Sequence, residues 1–296
     1  MSVRTLGERP SRNGTIKAAV GAGTLFVVAT PIGNLEDITF RALRVLREVA
    51  VVAAEDTRRS GQLLRHFGIQ TPLTSLHAHN EGQKTERLLG RLRRGESVAV
   101  VSDAGTPAVS DPGAELVAAA RAEGVRVEPV PGASAVMAAI SASGLSDIEF
   151  CFLGFPPTRS KDRNSWFERL SGQVRDRAVV FFEAPHRILA TLKELDNLSI
   201  DRISVFRELT KLHESHYEGT PADVISRLSP VAGEFTVVVP RLKAPSPASS
   251  RPSDAEILYM IGQITDKGGR AAAREVAALT GLSVNEVYEV IRSAKG

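Results

Sequence analysis

Four short segments concentrate the residue types from which a ligand site is made: Thr30-Pro31-Ile32-Gly33-Asn34, Glu55-Asp56-Thr57-Arg58, Ser102-Asp103-Ala104-Gly105-Thr106-Pro107 and Pro131-Gly132-Ala133-Ser134. Each follows an apolar run, and in open parallel sheets ligands bind just outside the carboxyl ends of the strands. Gly, Pro, Asp and Ser close turns anywhere, so one such loop says little; four on one rim outline a site. Glu55 and Asp56 stand beside Arg58 and Arg59, a set that either meets a nucleotide or forms a structural ion-pair network. The first loop is informative by what it lacks. A dinucleotide site wants G-x-G-x-x-G straight after the strand, whereas only Gly33 stands there and Gly21 and Gly23 precede the strand. The chain has no G-x-x-x-x-G-K-[ST] either, which argues against nucleoside triphosphate hydrolysis. His77 with His79, and His213 with His216, lack the Cys or carboxylate partners of a metal site, and no metal is expected.

Loops of this kind need rigid elements to hold them. From residue 25 onward, apolar runs alternate with amphipathic stretches: LFVVAT (25–30), AVVAAE (50–55), SVAVVSD (97–103) and VRVEPV (125–130), with a shorter PLTSL (72–76). Helical spacing marks 39–49, 57–67, 83–94, 114–123 and 134–143. Strands apolar throughout and separated by helices predict a parallel sheet covered on both faces. Gly144 and the polar 146–149 mark a boundary. Beyond it, EFCFLGF (149–155), AVVFFEA (178–184), RISVFREL (202–209) and EFTVVVP (234–240) read as strands. Helices fill 161–173, 186–196 and 221–228, and 213–219 reads as half of a hairpin. That mixture predicts a mixed sheet. LKAPSPASSRPS (242–253) is a linker by composition, followed by helices at 254–265, 270–279 and 284–293. Ala277, Gly281 and Val287 have the spacing of a helix-turn-helix, and equally that of a plain helical cap or dimerisation tail. The fold class is therefore α/β. Residues 24–145 and 146–241 form two α/β domains, 1–23 a flexible extension, 242–253 a linker and 254–296 a small C-terminal helical unit.

Bulk composition narrows the class further. Hydrophobic residues make up 43% of the 296 positions and aromatics only 5%, so the core must be built from Val, Leu, Ile and Ala. A net charge of +3 permits a nucleic-acid partner without demanding one. A single cysteine, Cys151, rules out a disulfide framework and is expected as a buried, inert thiol. No apolar stretch reaches the length of a membrane span, and residues 1–22 have no apolar signal-peptide core; a cytoplasmic protein is expected.

The runs ATPIGNLEDIT (29–39), AEDTR (54–58), SDAGTPAVSDPG (102–113), PGASA (131–135), FFEAPHR (181–187) and RELTK (207–211) closely resemble, in order, the bacterial ribosomal RNA small subunit methyltransferase I family of the tetrapyrrole methylase fold. The match spans about residues 25–240, and the helical tail is similar too; residues 1–22 fall outside it. The resemblance implies two α/β domains of the tetrapyrrole methylase type with S-adenosylmethionine in the cleft between them. It also implies 2'-O-methylation of a cytidine of 16S ribosomal RNA in the decoding region of the small subunit, and a homodimer.

In that light residues acquire roles. Asp103, in the loop after the fourth strand, holds a ribose hydroxyl or the ammonium of the donor, unless it only caps its own turn. Ala104, Gly105 and Thr106 let the backbone approach the donor, and Ile32 with Pro31 forms an apolar wall. Ser134 and Ala135 start a helix whose free amides can meet it. Glu183 ends a strand and faces the cleft, or pairs with Arg187 one turn on. Asp111-Pro112-Gly113 starts the next helix, with Pro at its first position. Moving a methyl group onto a hydroxyl needs in-line positioning and removal of a proton. Asp56, Lys211 and Glu55 are the foremost candidates, with Glu208, His77 and His79 behind them, and the sequence assigns no base. Arg65, Arg87, Arg91, Arg93 and Arg94, and Arg159, Lys161 and Arg163, are candidate contacts to RNA phosphates. A tetrapyrrole carbon methyltransferase of the same fold is the nearest alternative, and a donor-sensing DNA-binding regulator a more distant one.

Overall fold

The computed structural model describes residues 23–109, 111–145, 149–242, 252–264, 269–280 and 282–294, so the readings made for residues 1–22 and for most of the linker lie outside it. The chain divides into two compact units, one ending at Arg241 and the other beginning at Leu242.

The first unit carries two sheets. β1 (Thr24–Val28), β2 (Val51–Ala54), β3 (Leu73–Ser75), β4 (Val98–Val101) and β5 (Arg126–Val130) form an all-parallel sheet in the order β3-β2-β4-β1-β5. Successive strand residues point to opposite faces, and here both faces are apolar. Val51, Ala53, Val98 and Val100 pack under α3 (Glu81–Arg93) and α4 (Ala114–Ala122). Their neighbours Val52, Ala54, Ala99 and Val101 pack under α1 (Phe40–Glu48) and α2 (Thr57–His66). Each fully buried Val or Leu contributes about 1.5–3 kcal/mol, which is what lets so aromatic-poor a chain hold a three-layer core.

The second sheet is mixed: β6 (Phe150–Phe152), β7 (Ala178–Glu183), β8 (Ile203–Arg207), β9 (Ser215–Gly219) and β10 (Phe235–Val239) in the order β6-β7-β10-β8-β9, with only β6 and β7 parallel. The half-hairpin expected at 213–219 is β9, antiparallel to β8. α5 (Ala135–Ala142) follows β5 in the chain but covers this second sheet, with Val136 and Ala139 against Val180, Phe206 and Val238. The opposite side holds α6 (Ser160–Gln173), whose Trp166 meets Phe181 edge-on at 5.2 Å, then α7 (Ile188–Asn197) and α8 (Pro221–Arg227). Cys151 lies on the edge strand β6 and is half-buried rather than buried.

One helix start differs from the sequence reading. α4 is capped by Gly113 in the left-handed region (φ 116°), so Pro112 precedes the cap instead of opening the helix. The carboxylate of Glu81, on the neighbouring α3, accepts from the amides of Gly113 (2.9 Å) and Glu115 (3.0 Å) and does the capping from outside.

The second unit is three helices, α9 (Asp254–Ile264), α10 (Arg270–Thr280) and α11 (Val284–Ser293), around Ile257, Ala273, Val276 and Val290. Ala277 and Val287 are buried in that core; Gly281 lies outside the described residues.

Candidate functional site

The loops after β1, β4 and β5 are laced together at the carboxyl rim of the parallel sheet. Thr30 and Gly105 exchange backbone hydrogen bonds of 2.9 and 3.0 Å, and the Thr30 hydroxyl donates to the Ser102 carbonyl at 3.3 Å. Gly105 has φ +75°, and a Cβ added there would stand 3.3 Å from Cγ2 of Ile32. The left-handed backbone calls for glycine, and the Ile32 methyl would have to give slightly to admit a side chain. The Thr106 hydroxyl reaches the carbonyl of Ala133 at 3.5 Å, which ties in the loop after β5. There Ser134 caps α5 by accepting from the Met137 amide, leaving the amides of Ala135 and Val136 without helical partners.

Carboxylates crowd the next stretch of the rim. Asp103 accepts from the Asp56 amide through Oδ1 (3.0 Å) and meets Arg59 through Oδ2 (3.3 Å), while its own amide donates to Glu55 Oε2 at 3.4 Å. Burial pushes the Glu55 carboxyl above its ordinary range, helped by the neighbouring charges of Asp103 and Asp56. Asp111 joins the group: burial first, then the charge of Glu55, raise its carboxyl to about 6. Asp56 differs from both. It caps α2, accepting from the Arg58 amide at 2.8 Å, and clasps the Arg58 guanidinium, which holds its carboxyl down at about 2.

The second sheet closes the site from the other side through the β8–β9 connection. Glu208 and Thr210 both adopt left-handed backbone angles (φ 55° and 66°), turning the loop so that Lys211 points back toward the rim. Its ammonium sits 2.9 Å from Glu208 Oε1 and 3.1 Å from Glu234 Oε2. Burial works to lower its pKa, but those two carboxylates outweigh it and hold the group above the usual lysine value. The two loops touch closely: the Asn34 amide donates to the Thr210 hydroxyl at 3.0 Å. A Cβ on Gly33 would come within 2.4 Å of Lys211 Cγ and 2.9 Å of the Leu209 carbonyl.

Between these parts lies a cleft of about 540 Å³, within the range of small-molecule sites. Residues 30–33 and 102–104 line it together with Leu35, Lys211 and Glu234, and α2 contributes Arg59, Ser60, Gln62, Leu63 and His66. Of the residues given roles from sequence, Pro31, Ile32, Arg59, Asp103, Ala104 and Lys211 line the cleft. Gly105 and Thr106 brace the lining from behind, and Ser134 and Ala135 occupy the adjoining strand end. Glu55 backs Asp103 without lining the cleft, and Asp56 is turned to Arg58.

Glu183 stands apart. Instead of facing the cleft it is 1% exposed, and both its oxygens are engaged: Oε1 by Arg187 (2.8 Å) and the Ala184 amide (2.8 Å), Oε2 by the Thr191 hydroxyl (2.5 Å) and Arg163 (3.7 Å). Its work is to fasten α6 and α7 to the end of β7. Arg163, a candidate RNA contact by sequence, is for the same reason largely buried, with its guanidinium also over the Phe167 ring. Sequence reasoning gave Gly33 no role beyond its loop, read Asp111 only as part of a helix start, and took Arg59 with Arg58 without joining it to Gln62, Leu63 and His66. The stripe alone had a readable signal, the spacing 59, 62, 63, 66 of one helical face.

Comparison with known proteins gives a consistent picture. The family model of the tetrapyrrole (corrin/porphyrin) methylases matches residues 24–225. The chain is 44% identical over 284 residues to the ribosomal RNA small subunit methyltransferase I of Pseudomonas aeruginosa, covering 94% of this chain and 99% of that one. It is 42% identical to the protein of the same name from Synechocystis, over 90% and 97%. Among solved structures, the uroporphyrin-III-C-methyltransferase of Thermus thermophilus superposes with a TM-score of 0.53 at 22% identity, covering 74% of this chain and 94% of that one, which is a likeness of fold.

Proposed function

This chain belongs to the tetrapyrrole methylase family, among its ribosomal RNA small subunit methyltransferases I, and we propose that it methylates the 2'-oxygen of a cytidine in the decoding region of 16S ribosomal RNA. The observation that carries the reading is the cleft itself, where strand-end loops bearing Asp103 face Lys211 across a space of small-molecule size. S-adenosylmethionine is the donor, and its part is to present an electrophilic methyl group on a sulfonium.

The residues suit such a cation. Glu55, Asp103 and Asp111 make the rim acidic, and the one ammonium in the lining, Lys211, is already matched by Glu208 and Glu234. Asp103 would hold a hydroxyl or ammonium, Ile32 and Pro31 give an apolar wall, and Ala104 and Gly105 bring backbone close. The amides of Ala135 and Val136 suit the donor's carboxylate.

The acceptor side follows from charge. Lys211 keeps its proton, so it serves as a fixed cation that orients the acceptor oxygen and steadies the charge developing there, not as a base. Asp56, held near pKa 2, is poorly matched to proton removal; it sets the direction of α2. Burial raises the carboxyls of both Glu55 and Asp111, but neither lines the cleft, so proton removal is assigned to neither.

Mapping ribose methylation along small-subunit RNA from a deletion strain, with and without the restored protein, tests this reading. One cytidine that loses its 2'-O-methyl group and regains it on complementation supports it. An unchanged ribose pattern, or methyl transfer by the purified protein to a tetrapyrrole carbon, overturns it.

A further inference from the structure

Resting on that reading, we propose that the α2 stripe of Arg59, Gln62 and His66 is the acceptor-strand subsite, and that it holds a phosphodiester of single-stranded RNA at the mouth of the donor cleft. α2 is fixed at both levels that matter. Asp56 caps its first turn, and Ser60, Gly61 and Leu64 bury its inner face. The outer stripe is therefore carried on a rigid element, and Arg59, Gln62 and His66 all line the cleft that Asp103 and Lys211 share.

The stripe offers donors: a guanidinium, an amide and an imidazole. No residue between Thr57 and His66 is acidic, whereas Arg58, Arg59, Arg65 and His66 are basic or protonatable. Leu63 lies among them as a strip of apolar floor. A planar guanidinium beside an amide suits a phosphate followed by a base edge, which is how unstacked RNA is recognised. Arg59 is 65% exposed, and among the described residues its ion pair is with Asp103. A pair so exposed is weak and exchanges easily for a phosphate. Lys211 and Glu234 line the same cleft as the stripe, so a strand lying on α2 would bring a ribose up to Lys211.

Purified full-length protein with isolated small ribosomal subunits tests this. The readouts are KM for subunits, donor affinity by calorimetry, and the salt dependence of subunit binding. Arg59→Ala with His66→Ala is expected to raise KM roughly tenfold and reduce the salt slope by about one to two units. Donor affinity should stay within about threefold, and the unfolding temperature should not move, because both side chains are exposed. Arg44→Ala removes an exposed cation from α1, away from the cleft, and should leave KM unchanged. A double variant with wild-type KM and salt slope overturns the subsite while leaving the reading of function intact. A rise in KM matched by Arg44→Ala also overturns it, since bulk charge then explains the effect. A wild-type protein that takes up no donor sinks the reading of function, and the subsite with it.

Discussion

Nη1 of Arg59 lies 3.3 Å from Oδ2 of Asp103, joining α2 to the loop after β4 across the mouth of the cleft. The two side chains are unequal: Arg59 is 65% exposed and Asp103 27%. Exposed pairs contribute about 0–1 kcal/mol, so Arg59→Ala should change unfolding free energy by less than about 1 kcal/mol. Asp103 has more at stake, because its Oδ1 also receives the Asp56 amide and its carboxylate faces the cleft. Asp103→Ala is expected to weaken donor binding by about tenfold or more in calorimetry. Donor affinity unchanged in that variant would take Asp103 out of the donor site.

Lys211 should separate binding from turnover. Its ammonium is held by Glu208 and Glu234 in the lining of the cleft. Lys211→Met keeps the length and removes the charge. Turnover should drop roughly 100-fold, the usual cost of one donor aimed at developing charge, while donor affinity stays within about threefold. Because the lysine remains protonated through the neutral range, the wild-type pH profile should show no limb from it below about pH 10. Full turnover in the methionine variant would exclude Lys211 from the acceptor side.

Glu183 gives the opposite signature. Removing a fully buried carboxylate leaves Arg163 and Arg187 uncompensated, which costs about 3–5 kcal/mol. For a unit of this size that is on the order of 10 °C in unfolding temperature. Glu183→Ala should therefore be much less stable, yet bind donor normally when assayed well below its transition. A variant that keeps its stability and loses donor binding would restore Glu183 to the cleft.

These residues also show where the sequence was legible. Strands were easy because β2 and β4 are apolar at every position, a pattern that only burial on both faces produces. The rim loops were legible for the same reason, since each sits where such a run ends. Pairings across long stretches of chain were not. Nothing in Val136 and Ala139 says which sheet α5 will cover, because both sheets offer valines. Glu183 was open to two readings, facing the cleft or pairing with Arg187; the pairing holds, and Arg163, twenty positions away, joins it in a way no local spacing shows. Gly33 meets Thr210 and Lys211, more than 170 residues away, and a lone glycine outside its usual motif carries no sign of that.

Gly33 accordingly makes a sharp test. In Gly33→Ala the new methyl group would lie 2.4 Å from Lys211 Cγ and 2.8 Å from the Thr210 hydroxyl, far inside contact distance. The loops must part, at about 1–3 kcal/mol of overpacking strain, and Lys211 moves with them. Turnover should fall more than donor affinity. Thermal unfolding together with single-turnover kinetics checks this; an alanine variant with native values in both would show that the two loops do not meet as described.

Asp111 links the rim to pH. Its carboxyl is raised to about 6 in the folded protein, mainly by burial and then by the charge of Glu55, with a hydrogen bond from Ser102 working the other way. An unfolded aspartate titrates near 3.9. Between about pH 4 and 6 the folded state therefore holds the extra proton, and stability falls as pH rises through that window. Above it the ionised carboxylate is a standing cost, on the order of 1–2 kcal/mol once partial solvent screening is allowed for. Asp111→Asn keeps an acceptor for Ser102 and has no charge to bury. It should unfold at a higher temperature than the wild type at pH 7.5 and at nearly the same temperature at pH 4. Equal shifts at both values would mean that the effect is one of packing, and that ionisation of Asp111 does not strain the rim.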